Sequence, residues 1–194
     1  TILPPDPKTI WMEGVGLLGL GSNFKAASIA GDLVVQNARV RSVGEDAGGF
    51  YPISEKDLFD CEYWSLEQAK LGKGKAPVFQ GKVVMVTGGS GTIGFETAKA
   101  FASSGAQCFL IDLNQENLDA AIEKLGKGHF GKALDVTDPK AAIEAITSVT
   151  EAYGGLDILV SNAGSAQSGS MLDMTSSSVR KAFELNFFSH YEFA

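Results

Sequence analysis

The chain has 194 residues, 44% hydrophobic and 20% charged, the balance of a globular protein long enough for one domain or parts of two. Its formal net charge of −7, with basic residues scattered rather than clustered, argues against a nucleic-acid partner. Two distant cysteines, Cys61 and Cys108, and two histidines, His129 and His190, supply neither a disulfide scaffold nor a metal-ligand spacing. No apolar run is long enough to span a membrane, and the cysteine usage fits a reducing, cytoplasmic setting. Both ends read as cut. The start lacks an initiator Met and a leader pattern, and Phe187–Ala194 breaks off inside an apolar helical pattern without a cap.

Taken in chain order, Thr9–Met12 is a short strand leading into the glycine-rich run Gly14 to Gly21. A helix is expected over Lys25–Arg41, where Ala26, Ile29, Ala30, Leu33, Val34 and Ala38 recur at three- and four-residue steps. Ser54, with Asp57 three residues on, caps a second helix carrying Leu58, Trp64, Leu66 and Leu71. One strand and two helices are too little to bury a core, so residues 1–71 read as the tail of an upstream α/β domain. Residues 72–80, rich in Gly, Lys and Pro, read as a linker.

Residues 81–194 alternate strand and helix: strand Lys82–Thr87, helix Ile93–Ser103, strand Cys108–Asp112, helix Gln115–Leu125, strand His129–Leu134. Helix Pro139–Ala152, strand Asp157–Ser161 and a last helix from Thr175 follow. Asp138-Pro139 fits a cap with proline at the first helical position. Continuous apolar strands alternating with helices predict a doubly wound parallel sheet, a Rossmann architecture of which this is the N-terminal half.

Two stretches compete for a dinucleotide-binding role. The run from Gly14 to Gly19 matches G-x-G-x-x-G letter for letter, but the acid at the expected offset, Asp32, falls inside a helical pattern. It is expected to be a tight turn between strand and helix. Thr87 to Gly94 has the whole context: a buried strand before it, a helix opening on it, and Asp112 closing the next strand. Glycines there let the backbone approach a pyrophosphate, and the helix start offers free N–H groups. A carboxylate at Asp112 can accept ribose hydroxyls and repels a 2′-phosphate, favouring NAD. Asp135, followed by Val136, can accept from an adenine amino group. The small residues of the turn Asn162, Ala163, Gly164 leave room for a ribose. Taken singly, each is equally ordinary turn chemistry.

With Asn186 in the last helix, this pattern resembles the classical short-chain dehydrogenase/reductase family over about residues 80–194. The resemblance implies that Gly88, Ser90, Gly91, Thr92, Ile93 and Gly94 line the pyrophosphate, and that Asp112, with Leu113 beside it, selects NAD. It implies adenine contacts from Asp135 and Val136, and support of the nicotinamide ribose by Asn162, Ala163 and Gly164. Asn186 would hold a water in a proton relay to a catalytic lysine. Two departures stand out. Thr92 occupies a position where the family usually has glycine, which puts the exact loop contacts in question. The family's Tyr-x-x-x-Lys is absent: Tyr51, Tyr63 and Tyr153 are followed four residues on by Glu55, Glu67 and Asp157. The fragment alone is therefore expected to bind cofactor without turning over substrate.

The segment Gly14 to Gly21, then Phe59–Leu71, feeding a dehydrogenase resembles the junction in bifunctional rhamnulose-1-phosphate aldolase/alcohol dehydrogenases. Those proteins join a class II, zinc-dependent aldolase to a short-chain dehydrogenase. The resemblance implies NAD-dependent oxidation of a small hydroxyaldehyde such as lactaldehyde, by a homo-oligomer with no nucleic-acid or membrane partner. The alternatives are a non-catalytic NAD-binding regulatory module and an epimerase or dehydratase on the same fold.

Overall fold

The computed structural model describes residues 7–62, 64, 76–166, 168–170 and 172–194. The expected packing roles of Leu66 and Leu71, residues 72–75 of the linker, and Tyr63 fall outside the described residues. The chain divides into two compact units, Thr1–Ala76 and Pro77–Ala194.

In the first unit, β1 (Thr9–Met12) pairs antiparallel with β2 (Gly16–Gly19), in a register that sets Met12 against Gly16. The expected single strand and turn are thus a hairpin, closed by Gly14 at φ +75°, a left-handed conformation that glycine adopts without a Cβ clash. Helix α1 (Phe24–Asp46) packs on the hairpin. A Cβ on Gly19 would collide with the backbone of Gly31 and Ala27, so this glycine permits close strand–helix contact. The helix runs past the expected end at Arg41, continues through Gly44 and stops ahead of Gly48-Gly49. Arg41 sits between the rings of Trp11 and Phe50, 5.2 and 5.3 Å from their centroids. Ser54 caps α2 (Glu55–Glu62) as expected: its Oγ accepts from Asp57 N at 3.1 Å and donates to Asp57 Oδ2 at 2.7 Å. Among the described residues, Val34 is the one buried apolar side chain of this unit.

The second unit is a four-stranded parallel sheet built from β3 (Val83–Thr87), β4 (Gln107–Asp112), β5 (Phe130–Ala133) and β6 (Ile158–Val160), in the order β5-β4-β3-β6. Side chains alternate across it. Val84, Val86, Cys108 and Leu110 pack against α3 (Thr92–Ser103) and α4 (Gln115–Leu125). Met85, Phe109 and Ile111 face the opposite way, onto α5 (Ala141–Tyr153) and the C-terminal helices. Burial on both faces explains why β3 and β4 are continuous apolar runs. This is the doubly wound α/β architecture expected.

Helix α5 starts at Ala141, two residues later than expected. Asp138 Oδ1 accepts from Lys140 N at 2.8 Å, and Asp138 O accepts from Ala141 N at 2.9 Å, so Pro139 sits in a turn ahead of the helix. The last helix has three parts: α6 (Ser176–Phe183), capped by Thr175, a π-helical turn Glu184–Phe188, and α7 (Ser189–Phe193). At the amino edge of the sheet, Asp157 joins β6 to β3. It accepts from Lys82 Nζ at 2.8 Å and from Val83 N at 2.9 Å, and the lysine contact leads in holding its carboxyl below the usual range. No helix among the described residues is long and apolar enough to cross a membrane.

Candidate functional site

The strand order reverses between β3 and β6, so the loops leaving their carboxyl ends diverge and open a crevice. A cavity of about 840 Å³ lies there. One wall is the glycine loop. Gly88 turns at φ +63°, Gly91 N donates to Gly88 O at 3.2 Å, and Phe95 N donates to Gly91 O at 2.8 Å. That last bond closes the first turn of α3 and leaves the amides of Thr92, Ile93 and Gly94 without helical partners. A Cβ on Gly94 would collide with the Gly88 carbonyl and come within 2.8 Å of Asn162 Nδ2. A Cβ on Gly88 would lie 3.0 Å from Ala163 Cα. Thr92, the departure from the family pattern, is the first residue of α3, and no non-glycine residue among those described has positive φ. The tight points of the loop are Gly88, Gly89 and Gly94, and threonine is accommodated ahead of Gly94 without strain.

The opposite wall is the Asn162–Gly164 turn, bound to β3 by Thr87. Thr87 Oγ1 accepts from Asn162 N at 2.9 Å and Ala163 N at 3.0 Å, while Asn162 Nδ2 donates to Thr87 O at 2.9 Å. Asn186 holds the far end of this turn. Its Oδ1 accepts from Ser165 N at 3.0 Å and its Nδ2 donates to Ser165 O at 2.8 Å. A Cβ on Gly164 would lie 2.9 Å from that Oδ1. One turn further on, His190 Nδ1 lies 2.6 Å from Ser161 Oγ, a second tie between the helix and the end of β6. The π turn centred on Asn186 is where a helix carries an extra residue, a feature that recurs at functional sites.

The acids complete the lining. Asp112 Oδ2 accepts from Ser90 N at 2.9 Å and Oδ1 from Leu113 N at 2.8 Å, fixing the carboxylate toward the glycine loop. Asp135 Oδ1 accepts from Thr137 N and Oγ1 at 2.9 and 2.7 Å, ordinary turn chemistry that leaves its other oxygen. Val136, buried against β3 and β4, presents an apolar surface to the same space. Gly88, Gly91, Thr92, Ile93 and Gly94 line the cavity. So do Asp112, Leu113, Asp135, Val136 and the three residues Asn162, Ala163 and Gly164. Ser90 and Asn186 stand behind the wall, positioning Asp112 and Ser165.

Sequence reasoning did not single out Leu134, Ser165, Lys181 or Leu185, which also line it. Leu134 and Ser165 each adjoin a predicted strand-end motif, and that adjacency was the available signal. None of the described tyrosines lines the cavity. Tyr153 is held at the other end of the sheet, its hydroxyl 3.1 and 2.9 Å from the carbonyls of Cys108 and Gly128, and burial pushes its pKa up. It is a structural residue. Cys108 is likewise inert, its thiol pushed up to about 11 by burial. No cluster of metal-ligating side chains occurs among the described residues.

Comparison with known proteins agrees with this geometry. Residues 82–194 match the family profile described as short chain dehydrogenase. Residues 1–71 match that described as aldolase class II, second domain. The uncharacterized oxidoreductase YuxG of Bacillus subtilis is 32% identical over 181 residues, 90% of this chain and 26% of its own length. Oxidoreductase UcpA of Escherichia coli (strain K12) is 41% identical over 97 residues, 49% of this chain and 37% of its own. This chain thus spans less than half the length of either relative. Among solved structures, a short chain dehydrogenase from Mycobacterium smegmatis aligns with TM-score 0.57 and 30% identity, covering 62% of this chain and 52% of that one. An actinorhodin polyketide ketoreductase with NADPH aligns with TM-score 0.56 and 26% identity, covering 58% and 44%. A doubly wound sheet, its crevice and a profile match across the whole of it agree: the chain belongs to the short-chain dehydrogenase family of oxidoreductases.

Proposed function

We propose that residues 81–194 bind NAD in the crevice and form the cofactor half of an NAD-dependent dehydrogenase acting on a small hydroxyaldehyde or alcohol such as lactaldehyde. The observation that carries this reading is one cavity shared by the open amides of α3, the fixed carboxylate of Asp112 and the Asn162–Gly164 turn. The residues fit the cofactor, because the close packing of Gly94 on Gly88 and Asn162 brings the start of α3 to the cavity wall with its first amides open. The α3 amides would hold the diphosphate. Asp112 keeps lone pairs beyond its two backbone contacts and would accept the ribose hydroxyls. Its charge, with Asp135 and Glu184 also lining the cavity, disfavours an added 2′-phosphate and hence NADP. Asn186, by fixing Ser165, would keep the turn open for the nicotinamide ribose. Bound NAD supplies the hydride acceptor, and the chain's own contribution is binding and orientation.

The match of residues 1–71 to an aldolase second domain supports reading the protein as a bifunctional rhamnulose-1-phosphate aldolase/alcohol dehydrogenase. In that reading 1–71 belong to the aldolase half and 72–80 to a linker. The test is to titrate the chain with NADH by fluorescence, and to follow NAD and NADP reduction by the full-length protein across short hydroxyaldehydes and alcohols. NAD-selective reduction is expected. Failure to bind NADH sinks the reading. Binding without reduction of either cofactor across the panel would instead identify a NAD-binding regulatory module.

A further inference from the structure

We infer that His190 is a positioning residue for the nicotinamide-ribose end of the crevice, acting through Ser161 on the Asn162–Gly164 turn. The inference rests on the reading that the crevice takes a dinucleotide, and it brings in a residue outside the cavity lining. Ser161 and Ser165 flank the turn, and both are held by the C-terminal helix. Asn186 spans the Ser165 backbone, its Oδ1 accepting from Ser165 N at 3.0 Å and its Nδ2 donating to Ser165 O at 2.8 Å. One helical turn further on, His190 Nδ1 lies 2.6 Å from Ser161 Oγ. The spacing from Asn186 to His190 equals that from Ser161 to Ser165, in the opposite direction, so the helix clasps the turn at both ends.

Thr87 fixes only the middle of the turn, from the β3 side, through Asn162 N and Ala163 N. The side facing the helix depends on where the helix stands. Gly164 leaves little slack there: a Cβ on it would lie 2.9 Å from Asn186 Oδ1. Asn186 sits in the π turn Glu184–Phe188, which carries one residue more than an α turn. A slip of that turn to α register would rotate the residues after it by about 100° relative to those before it. The residues before it, Lys181 and Leu185, line the cavity, and those after it include His190. Rotation would carry the His190 ring off Ser161, so this hydrogen bond favours the π register that presents Asn186 to Ser165. Ser189 assists from beneath, buried and donating through Oγ to Leu185 O at 2.6 Å.

The test is calorimetric titration of the chain and its His190→Leu, Ser161→Ala and His190→Asn variants with NADH and with ADP. ADP lacks the nicotinamide ribose, so its affinity reports whether the rest of the crevice is intact. His190→Leu and Ser161→Ala should each weaken NADH about fivefold, the scale of one hydrogen bond, while ADP binds as it does to wild type. The double variant should be no weaker than either single one, because both remove the same bond. Asparagine presents a polar atom near the place of Nδ1, so His190→Asn should restore NADH affinity. Should His190→Leu fail to fold, Ser161→Ala makes the same prediction with a smaller change. Wild-type NADH affinity in Ser161→Ala, equal losses for ADP and NADH, losses that add in the double variant, or a loss that persists in His190→Asn each overturn the inference. All four leave the dinucleotide reading intact. Wild-type protein that does not bind NADH overturns both.

Discussion

Two glycine-rich stretches in this chain invite the same interpretation, and the structure separates them. Gly14 to Gly19 carries the full G-x-G-x-x-G letters, whereas Thr87 to Gly94 has threonine where the resembled pattern has glycine. Yet the first run is a hairpin turn and an antiparallel strand. The helix after it begins only at Phe24, and Asn23 closes its start by accepting from Ala26 N at 2.9 Å. The second run leaves a parallel strand and enters a helix whose cap, Gly91, has no side chain to occupy the free amides. Both clusters use glycine for close approach: Gly19 to the backbone of α1, Gly94 to Gly88 and Asn162. What distinguishes a phosphate cradle is therefore not the glycines but open amide donors at a helix start, on the edge where parallel strands end.

The sharpest way to break this contrast is to add one methyl group to each cluster. In Gly94→Ala the new Cβ meets the Gly88 carbonyl and Asn162 Nδ2, both fixed by the bonds between β3 and the Asn162 turn, so neither can yield. We expect the largest effect here: a loss of NADH affinity beyond about a hundredfold, with about 1–3 kcal/mol of stability lost to overpacking. Fluorescence titration and thermal melting measure the two. Wild-type NADH affinity would mean that the loop is no cradle.

Gly19→Ala strikes backbone as well, at Gly31 and Ala27. It should destabilise the first unit by about 1–3 kcal/mol while leaving NADH affinity unchanged. Both tryptophans, Trp11 and Trp64, belong to the first unit, so urea unfolding followed by tryptophan emission reports on it separately. A parallel fall in NADH affinity would show that the hairpin glycines take part in the site after all.

Asp112 is where, in the proposed function, the second cluster acquires its cofactor preference. Replacing it with alanine removes an acceptor for ribose hydroxyls and frees the Ser90 amide. The expected loss of NAD affinity is about 1–3 kcal/mol, the range for unmatched hydrogen-bonding groups. Asp112→Asn keeps an acceptor for Ser90 N but drops the charge. It should cost less NAD affinity and still relax discrimination against NADP. Equal affinities of wild type and both variants for the two cofactors would reduce Asp112 to a turn residue.

How far these features can be read without coordinates depends on whether they are local. β3, β4 and α4 are legible because burial on both sheet faces writes continuous apolar runs, and because Asn114 caps a helix with clear periodicity. β2 is not, since Gly16 and Gly19 bracket only Leu17-Leu18 and its pairing with β1 is a tertiary fact. The start of α5 was misplaced because Asp138 spends its side chain on Lys140 N, a turn that looks identical in sequence to a helix cap. Nothing in the letters marks the π turn at Glu184–Phe188, although Ser189 Oγ donating to Leu185 O at 2.6 Å helps to satisfy it. The lining residues at strand ends could be named in advance because parallel topology dictates where strands finish. Lys181 and Leu185 could not, because they reach the cavity from a helix whose approach is set by packing.

The smallest effect separates the two units by proton rather than by methyl group. The first unit contains no histidine, while His129 in the second is buried and accepts from Cys108 N through Nδ1 at 3.0 Å. That bond requires the neutral ring with its proton on Nε2. Protonating Nδ1 would break it and leave a buried amide donor unpaired. Burial accordingly lowers the His129 pKa from its ordinary 6.5. Below about pH 6.5 the unfolded chain binds a proton that the folded unit resists. The contribution of His129 is therefore complete above pH 6.5 and is lost as pH falls below it toward the depressed folded value. Melting of the second unit, followed through bound NADH, should weaken modestly between about pH 7.5 and 5.5, a window above carboxylate titration. The tryptophan-reported transition of the first unit should hold steady. His129→Gln keeps an acceptor for Cys108 N without a titrating ring and should flatten the dependence. If the slope survives in that variant, His129 is not its source.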